Sequence, residues 1–292
     1  MAEKFEHLNL KKVIFILCII MGLFQILTST FRFLAPIPLQ NIHLMLAYVI
    51  IFLLAIDKTK KTCHNKIIYM VFTLLTLIAT IYIHINYENI VKNVGQFSST
   101  DYFIGLLLII ITLEATRSSF GIAIPLLTII FLIYMFVGPY LPGILYHGGF
   151  SIRRVISTAT ISFGGMYGTL LNVSATFLAL FMIFGGILGY TGASEFFMNL
   201  ALGIGGKMRS GPAMAAVISS ALMGSINGSA VANVATTGVF TIPMMKERGY
   251  EPHFAGAVEA AASTGGMILP PVMGVGAFVM AELTGISYAK IA

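Results

Sequence analysis

Two short stretches of the chain combine residue types that can hold a small ion or an anionic group. The first is Ser225-Ile226-Asn227-Gly228-Ser229, a poor helix sequence and a good turn. A turn there offers free carbonyls, free amides, and the Ser and Asn side chains. Hard cations take oxygen ligands, and anionic groups are drawn to helix N-termini. A helix beginning near Ala230 aims its amides at this turn. The second stretch is Ser263-Thr264-Gly265-Gly266, followed by Pro270-Pro271. Prolines remove amide donors and glycines loosen the chain, so a helix unwinds there. Glu259 sits about one turn before this break. Two readings of it stay open: a structural or ion-linked carboxylate, or a buried acid bonded to a neighbouring helix end.

The other chemistry-bearing residues point to less. Glu114 and Arg117 are three apart and share a helix face. Charges inside a membrane are costly and often functional, but these lie close to the turn at Ser118–Gly121. The plainer reading puts them at the cytoplasmic end of a short span, facing headgroups. His7, His43, His64, His84, His147 and His253 are scattered, and neither HExxH nor GxSxG occurs. An intramembrane enzyme would lack its paired catalytic groups, so no catalytic residue is assigned. Cys18 and Cys63 form no CxxC pair and no disulfide framework. Small-xxx-small spacings at Gly164/Gly168, Gly185/Gly189 and Gly224/Gly228 allow close helix packing before they say anything about function.

The elements that position these residues are membrane helices. Of 292 residues, 58% are hydrophobic and 10% charged, where a soluble domain carries roughly 25% charged residues. Mean hydropathy is +0.93. Several apolar runs approach the roughly 20 residues that cross a hydrocarbon core about 30 Å thick. Lipid-exposed backbone must bond to itself, which makes these runs helices, and the alternating strands of a barrel are missing from the sequence. The expected class is an all-α polytopic membrane protein with about seven crossings plus one re-entrant helical hairpin. Crossings are placed at about 13–31, 39–56, 67–85, from Tyr102, at 120–138 and at 172–190. The stretch 144–171 reads as an interfacial or arm-like helix, and the broken helix 252–284 follows the hairpin. Lys58, Lys60, Lys61 and Lys66 mark a cytoplasmic loop, which puts the N-terminus, with Lys4, Lys11 and Lys12, in the cytoplasm too. The first span reads as an uncleaved signal anchor. The net charge of +6 fits this cytoplasmic bias better than a nucleic-acid partner.

Length argues for the hairpin. Lys207 and Arg209 precede the stretch and Lys246 and Arg248 follow it, so both ends of 207–249 prefer the cytoplasm. Pro212 to Gly224 is 13 residues and Ala230 to Met245 is 16. As helices these span about 20 and about 24 Å, short of about 30 Å. Non-helical backbone at membrane depth is tolerated where it is buried in protein or lines a wet cavity. A hairpin followed by a broken helix is the pattern of secondary transporters, whose sites lie near the midplane.

These residues also resemble a family. The run from Asn227 to Pro271, within SINGSAVANVATTGVFTIPMMKERGYEPHFAGAVEAAASTGGMILPP, resembles the large membrane subunit of TRAP (tripartite ATP-independent periplasmic) transporters. DYFIGLLLIIITLEATRSSFG and GPYLPGIL resemble the fused permeases of the TAXI subgroup. The resemblance covers about 101–292 well and 1–100 in layout. It implies a four-helix small-subunit-like region over 1–116 and the N-terminal half of the large subunit over 117–292. It implies an elevator-type symporter of the inner membrane, usually sodium-driven, that needs no cofactor beyond the coupling ion. It implies a TAXI-type extracytoplasmic solute-binding protein and a small, anionic solute as partners. Carried over, the cation sites involve Ser225, Asn227, Gly228, Ser229 and Asn233 at the hairpin, and Ser263, Thr264, Gly265 and Gly266 at the break. Substrate contacts fall on Ser229, Thr237, Pro270 and Pro271. The family's large subunit also carries a second, inverted half. The sequence stops at Ala292 after the first, so the expectation is a fragment or a split subunit, with the remaining half of the permease as a further partner. A channel lined by symmetric copies and an assembly or scaffold subunit are the rival readings.

Overall fold

The computed structural model describes residues 2–59, 63–93, 95–162, 164–205 and 210–292. Lys60, Lys61, Lys207 and Arg209, used above to orient loops, lie outside the described residues. Every regular element among the described residues is helical. Among the described residues, six helical stretches are long and apolar enough to cross a membrane: Asn9–Phe31, Pro36–Lys58, Asn65–Lys92, Ser99–Phe120, Ala123–Tyr140 and Thr169–Leu188. The chain is a multi-pass membrane protein. It divides into two compact units, Met1–Ala175 and Thr176–Ala292.

The first unit holds α1 (Ala2–Phe31), α2 (Pro36–Lys58), α3 (Cys63–Lys92), α4 (Ser99–Phe120), α5 (Ala123–Val137), α6 (Ile152–Ile156) and α7 (Thr169–Val173). Pro36 opens α2, where its missing N–H costs nothing and its fixed φ suits a first turn. Ser98 and Asp101 form a capping box at the start of α4, and Gly121 (φ 81) ends that helix. Phe52, Leu108, Ile111 and Ala79 are fully buried between helices, while Leu74, Ile78, Ile81 and Ile85 on α3 stay exposed. Such apolar exposure fits lipid as the surrounding solvent.

α3 runs to Lys92, further than the polarity of Asn86–Asp101 suggests. Asn86 Nδ2 donates to the Tyr82 carbonyl (3.0 Å), and Lys92 pairs with Glu88 one turn back (3.5 Å). The helix therefore continues past its apolar part. Glu114 and Arg117 form a two-pronged pair at 2.6 and 2.8 Å, near the end of α4, with the arginine side chain about half exposed. That placement favours the helix-end reading. The segment after α5 is a fixed loop built around His147. His147 Nδ1 accepts from the Gly149 amide (3.1 Å), so Nε2 carries the proton and donates to the Tyr134 carbonyl (3.0 Å). The arm-like stretch then proceeds through α6, a π turn at Ser157–Ile161, and α7.

A polar stripe at the start of α2 binds this unit together. Asn41 donates to the Thr80 carbonyl (2.8 Å) and accepts from Tyr167 (2.7 Å). Gln40 bonds Asn172 (3.3 Å), and His43 bridges Gln25 (2.6 Å) and Ser174 (3.1 Å). Polar bonds between membrane helices are worth roughly 0.6 kcal/mol each, so together they fix register more than they add stability.

The second unit holds α8 (Ala179–Tyr190), α9 (Ala193–Gly205), α10 (Gly211–Asn227), α11 (Ala230–Glu247), α12 (Pro252–Gly266), α13 (Val275–Thr284) and α14 (Tyr288–Ile291). α10 and α11 form an antiparallel pair, and α12 packs against both.

Candidate functional site: a hairpin tip seated in a broken helix

The turn between α10 and α11 is tighter than its composition suggests. Ser225, Ile226 and Asn227 complete the last turn of α10, and only Gly228 and Ser229 leave the helix. Gly228 adopts the left-handed conformation (φ 62) and donates its N–H to the Gly224 carbonyl, closing the helix as glycine does best. Asn227 Oδ1 accepts from the Ser229 amide (3.0 Å), and Ser229 Oγ accepts from Ala232 N (3.3 Å) to cap α11. One side chain thus spans the turn and lets α10 continue to Asn227. The arms are 17 and 18 residues long, or about 26 and about 27 Å as helix. They remain short of about 30 Å, by less than the sequence estimate.

The break in the following helix lies later than its glycines. Ser263, Thr264, Gly265 and Gly266 are still helical, and the chain leaves the helix over 267–274 before α13 begins. Thr264 Oγ1 bonds back to the Ala260 carbonyl (2.8 Å), which holds the last turn. The stop comes from Pro270 and Pro271, joined by a cis bond, which offer no amides.

The tip sits in this break. Val272 N donates to the Ser225 carbonyl (2.8 Å). A Cβ on Gly228 would overlap the Met273 carbonyl. A Cβ on Gly224 would lie 2.8 Å from the Gly266 Cα, so α10 and α12 touch backbone to backbone through two glycines. The spacing read from sequence as a packing motif is one, and it brings the tip to the break. Asn233 is fully buried, and its Nδ2 donates to the Ser220 carbonyl (2.7 Å). Among the described residues its Oδ1 has no partner, and neither has the buried Asn227 Nδ2. One unpaired acceptor and one unpaired donor therefore lie at the tip, and such groups are costly to leave unused.

The structure does not gather all the residues singled out from sequence. Ser225, Asn227, Gly228, Ser229 and Asn233 are together at the tip, with Gly266 against them. Pro270 and Pro271 are exposed in the break. Gly265 lines an apolar groove between α10 and α12 with Val217, Ala221 and Leu269, and Thr264 is exposed. Ser263 and Thr237 turn to Glu259 instead of the tip. Glu259 is fully buried, and Oε1 accepts from Ser220 (2.8 Å), Thr237 (2.5 Å) and Ser263 (3.1 Å). Oε2 accepts from Thr241 (2.5 Å). Ser220 and Thr241 were not singled out from sequence. Their only signal is that Thr237 and Thr241 are one turn apart on α11, which places them on one face.

Comparison with known proteins now bears on this geometry. The model of the family described as "Tripartite ATP-independent periplasmic transporter, DctM component" matches residues 107–292, well over half of the chain, with the hairpin and the break inside the match. The chain belongs to that family. The DctM family is a family of transporters and not of enzymes. The chain is similar to the isethionate TRAP transporter permease protein DctMQ of Oleidesulfovibrio alaskensis, 37% identical over 94 residues, 32% of this chain and 15% of that protein. It is similar to the C4-dicarboxylate TRAP transporter large permease protein DctM of Vibrio cholerae, 32% identical over 129 residues, 44% of this chain and 27% of that one. It is also similar to an uncharacterized protein, YgiK, of Salmonella typhimurium, 33% identical over 98 residues, 33% of this chain and 22% of that one. The matched part of the chain thus spans less than a third of each of these relatives. No solved structure matches the chain.

Proposed function

We propose that this DctM-family chain is part of a binding-protein-dependent, ion-coupled permease that imports a small organic anion. The observation that carries this reading is the seating of the 228–229 turn in the 267–274 break, with an unpaired Asn233 Oδ1 beside it. Broken helices at membrane depth are where secondary transporters hold substrate and ions. A sodium ion takes oxygen ligands, here from Asn233 Oδ1, the α10 carbonyls that end at the tip, and Ser225, Asn227, Gly228 and Ser229. Thr264, Gly265 and Gly266 supply backbone from the break. The anion lies against Ser229, Pro270 and Pro271, facing the α11 N-terminus. Ser263 and Thr237 bond Glu259, so in this reading the tip ion does not use Ser263 and the anion does not use Thr237. The names of the relatives above speak for carboxylate and sulfonate substrates in the family.

The wider reading is a TAXI-type permease of the inner membrane. Its N-terminus is cytoplasmic, 1–116 is a small-subunit-like region, and the hairpin enters from the cytoplasm and travels with an elevator-type body. A TAXI-type extracytoplasmic solute-binding protein delivers the solute, and a second, inverted half completes the pocket. The test is uptake of labelled C4-dicarboxylates and isethionate into proteoliposomes carrying the complete permease with its binding protein. Uptake is expected to depend on a sodium gradient. Uptake indifferent to both sodium and proton gradients would overturn ion coupling.

A further inference from the structure

Among the described residues, Glu259 is the one carboxylate buried among α10, α11 and α12, and no positively charged group pairs with it. Among the described residues, α10 has no ionisable group, α11 has Lys246 and Glu247, α9 has Glu195, and α12 has His253 beside Glu251 at its start. The ion pairs among the described residues are Lys92–Glu88, Arg117–Glu114 and His253–Glu251, and none includes Glu259. Burying a carboxylate without a counter-charge is costly unless other groups bond it.

What surrounds it instead is hydroxyl. Ser220 comes from α10, Thr237 and Thr241 from α11, and Ser263 from α12 itself. Among the described residues no backbone or side-chain N–H donates to it. The difference matters, since an amide can only donate and a hydroxyl can turn to present a lone pair. Three of the four hydroxyls have a second acceptor ready. Thr241 lies 3.1 Å from the Thr237 carbonyl, Thr237 lies 2.8 Å from the Asn233 carbonyl, and Ser220 lies 3.0 Å from Thr237 Oγ1. They can re-aim without losing a bond. With a bare carboxylate all four hydroxyls can donate to it, and with a positive charge seated on it three of them can turn their lone pairs to the charge and still keep an acceptor.

We propose that Glu259 is a second coupling site, distinct from the tip, where one monovalent cation, a proton or a sodium ion, neutralises the carboxylate while α10 and α11 are closed on α12. Both arms of the hairpin and the broken helix contribute to the cage, so the charge on Glu259 and the closure of the hairpin are linked. Release of the cation requires water to reach Glu259, which requires these helices to part. The coupling role rests on the permease reading; the binding site does not.

The experiment is read on the purified full chain in lipid nanodiscs, without transport. Infrared difference spectra across a pH titration in sodium-free buffer report a protonated carboxyl, and radioactive sodium binding at fixed pH reports the metal ion. Wild type is compared with Glu259→Gln. A protonated-carboxyl band at neutral pH that disappears in Glu259→Gln identifies the ligand as the proton. Sodium affinity that falls about tenfold or more in Glu259→Gln identifies it as sodium. A wild type with neither signal, or with both unchanged in the variant, overturns the proposal and leaves a carboxylate held by hydroxyls alone. Thr241→Val keeps the carboxyl and removes the donor to Oε2. It is expected to shift the same band or weaken the same sodium affinity, and it decides the matter should Glu259→Gln fail to fold. A transport assay that fails while these signals appear would overturn the permease reading and leave this site standing.

Discussion

Gly224→Val is expected to separate the hairpin from the broken helix and to abolish solute uptake. A Cβ at Gly224 would lie 2.8 Å from the Gly266 Cα, 2.8 Å from Asn233 Nδ2 and 3.0 Å from the Gly266 carbonyl carbon. Two of these three neighbours are backbone atoms and cannot swing aside. Overpacking costs about 1–3 kcal/mol, and the backbone contact puts this case near the upper end. Thermal unfolding of the purified variant measures the loss. Gly186→Val is the matched control, because no described residue lies within 4 Å of a Cβ at Gly186. Equal unfolding temperatures for the two variants would mean that α10 and α12 do not meet at these glycines.

Gly228→Val tests the other half of the joint. Gly228 sits at φ +62, where a side chain costs roughly 1–2 kcal/mol by itself. Its Cβ would also overlap the Met273 carbonyl, so the tip must leave the break. Gly249 shares the positive φ (+89), but no described residue lies within 4 Å of its Cβ position. Gly249→Val therefore carries the conformational penalty alone. The expected result is a modest loss of stability with uptake retained for Gly249→Val, and loss of uptake with a larger destabilisation for Gly228→Val. Retained uptake in Gly228→Val would remove the tip from the transport site.

Particular residues show what could be read from the sequence. Run length and polarity were sufficient for the membrane helices, since an apolar stretch of about 20 residues has few other uses. The hairpin and the break were legible because glycine, asparagine and paired prolines act on the backbone locally. Their extents were less so. Asn227 reaches over the turn to the Ser229 amide and keeps Ser225–Asn227 helical, which composition alone does not reveal. The break begins after Gly266 because glycine permits unwinding while proline at 270 and 271 compels it. The pocket around Glu259 was out of reach. Ser220 and Thr241 look like ordinary polar residues in helices, Ser263 and Thr237 read as ion and substrate contacts, and packing across three helices gathers all four on Glu259. The same holds for Asn41, whose polarity is visible but whose partner Tyr167 lies 126 residues away.

In the proposed permease, α10 and α11 enter and leave the membrane on one side. Single cysteines at Ser210 and Arg248, both exposed at the hairpin's feet, placed in a background lacking Cys18 and Cys63, give the most direct test. In intact cells a membrane-impermeant maleimide is expected to leave both positions unlabelled, and in inverted membrane vesicles to label both. Labelling of one position in cells and of the other only in inverted vesicles would contradict the re-entrant hairpin.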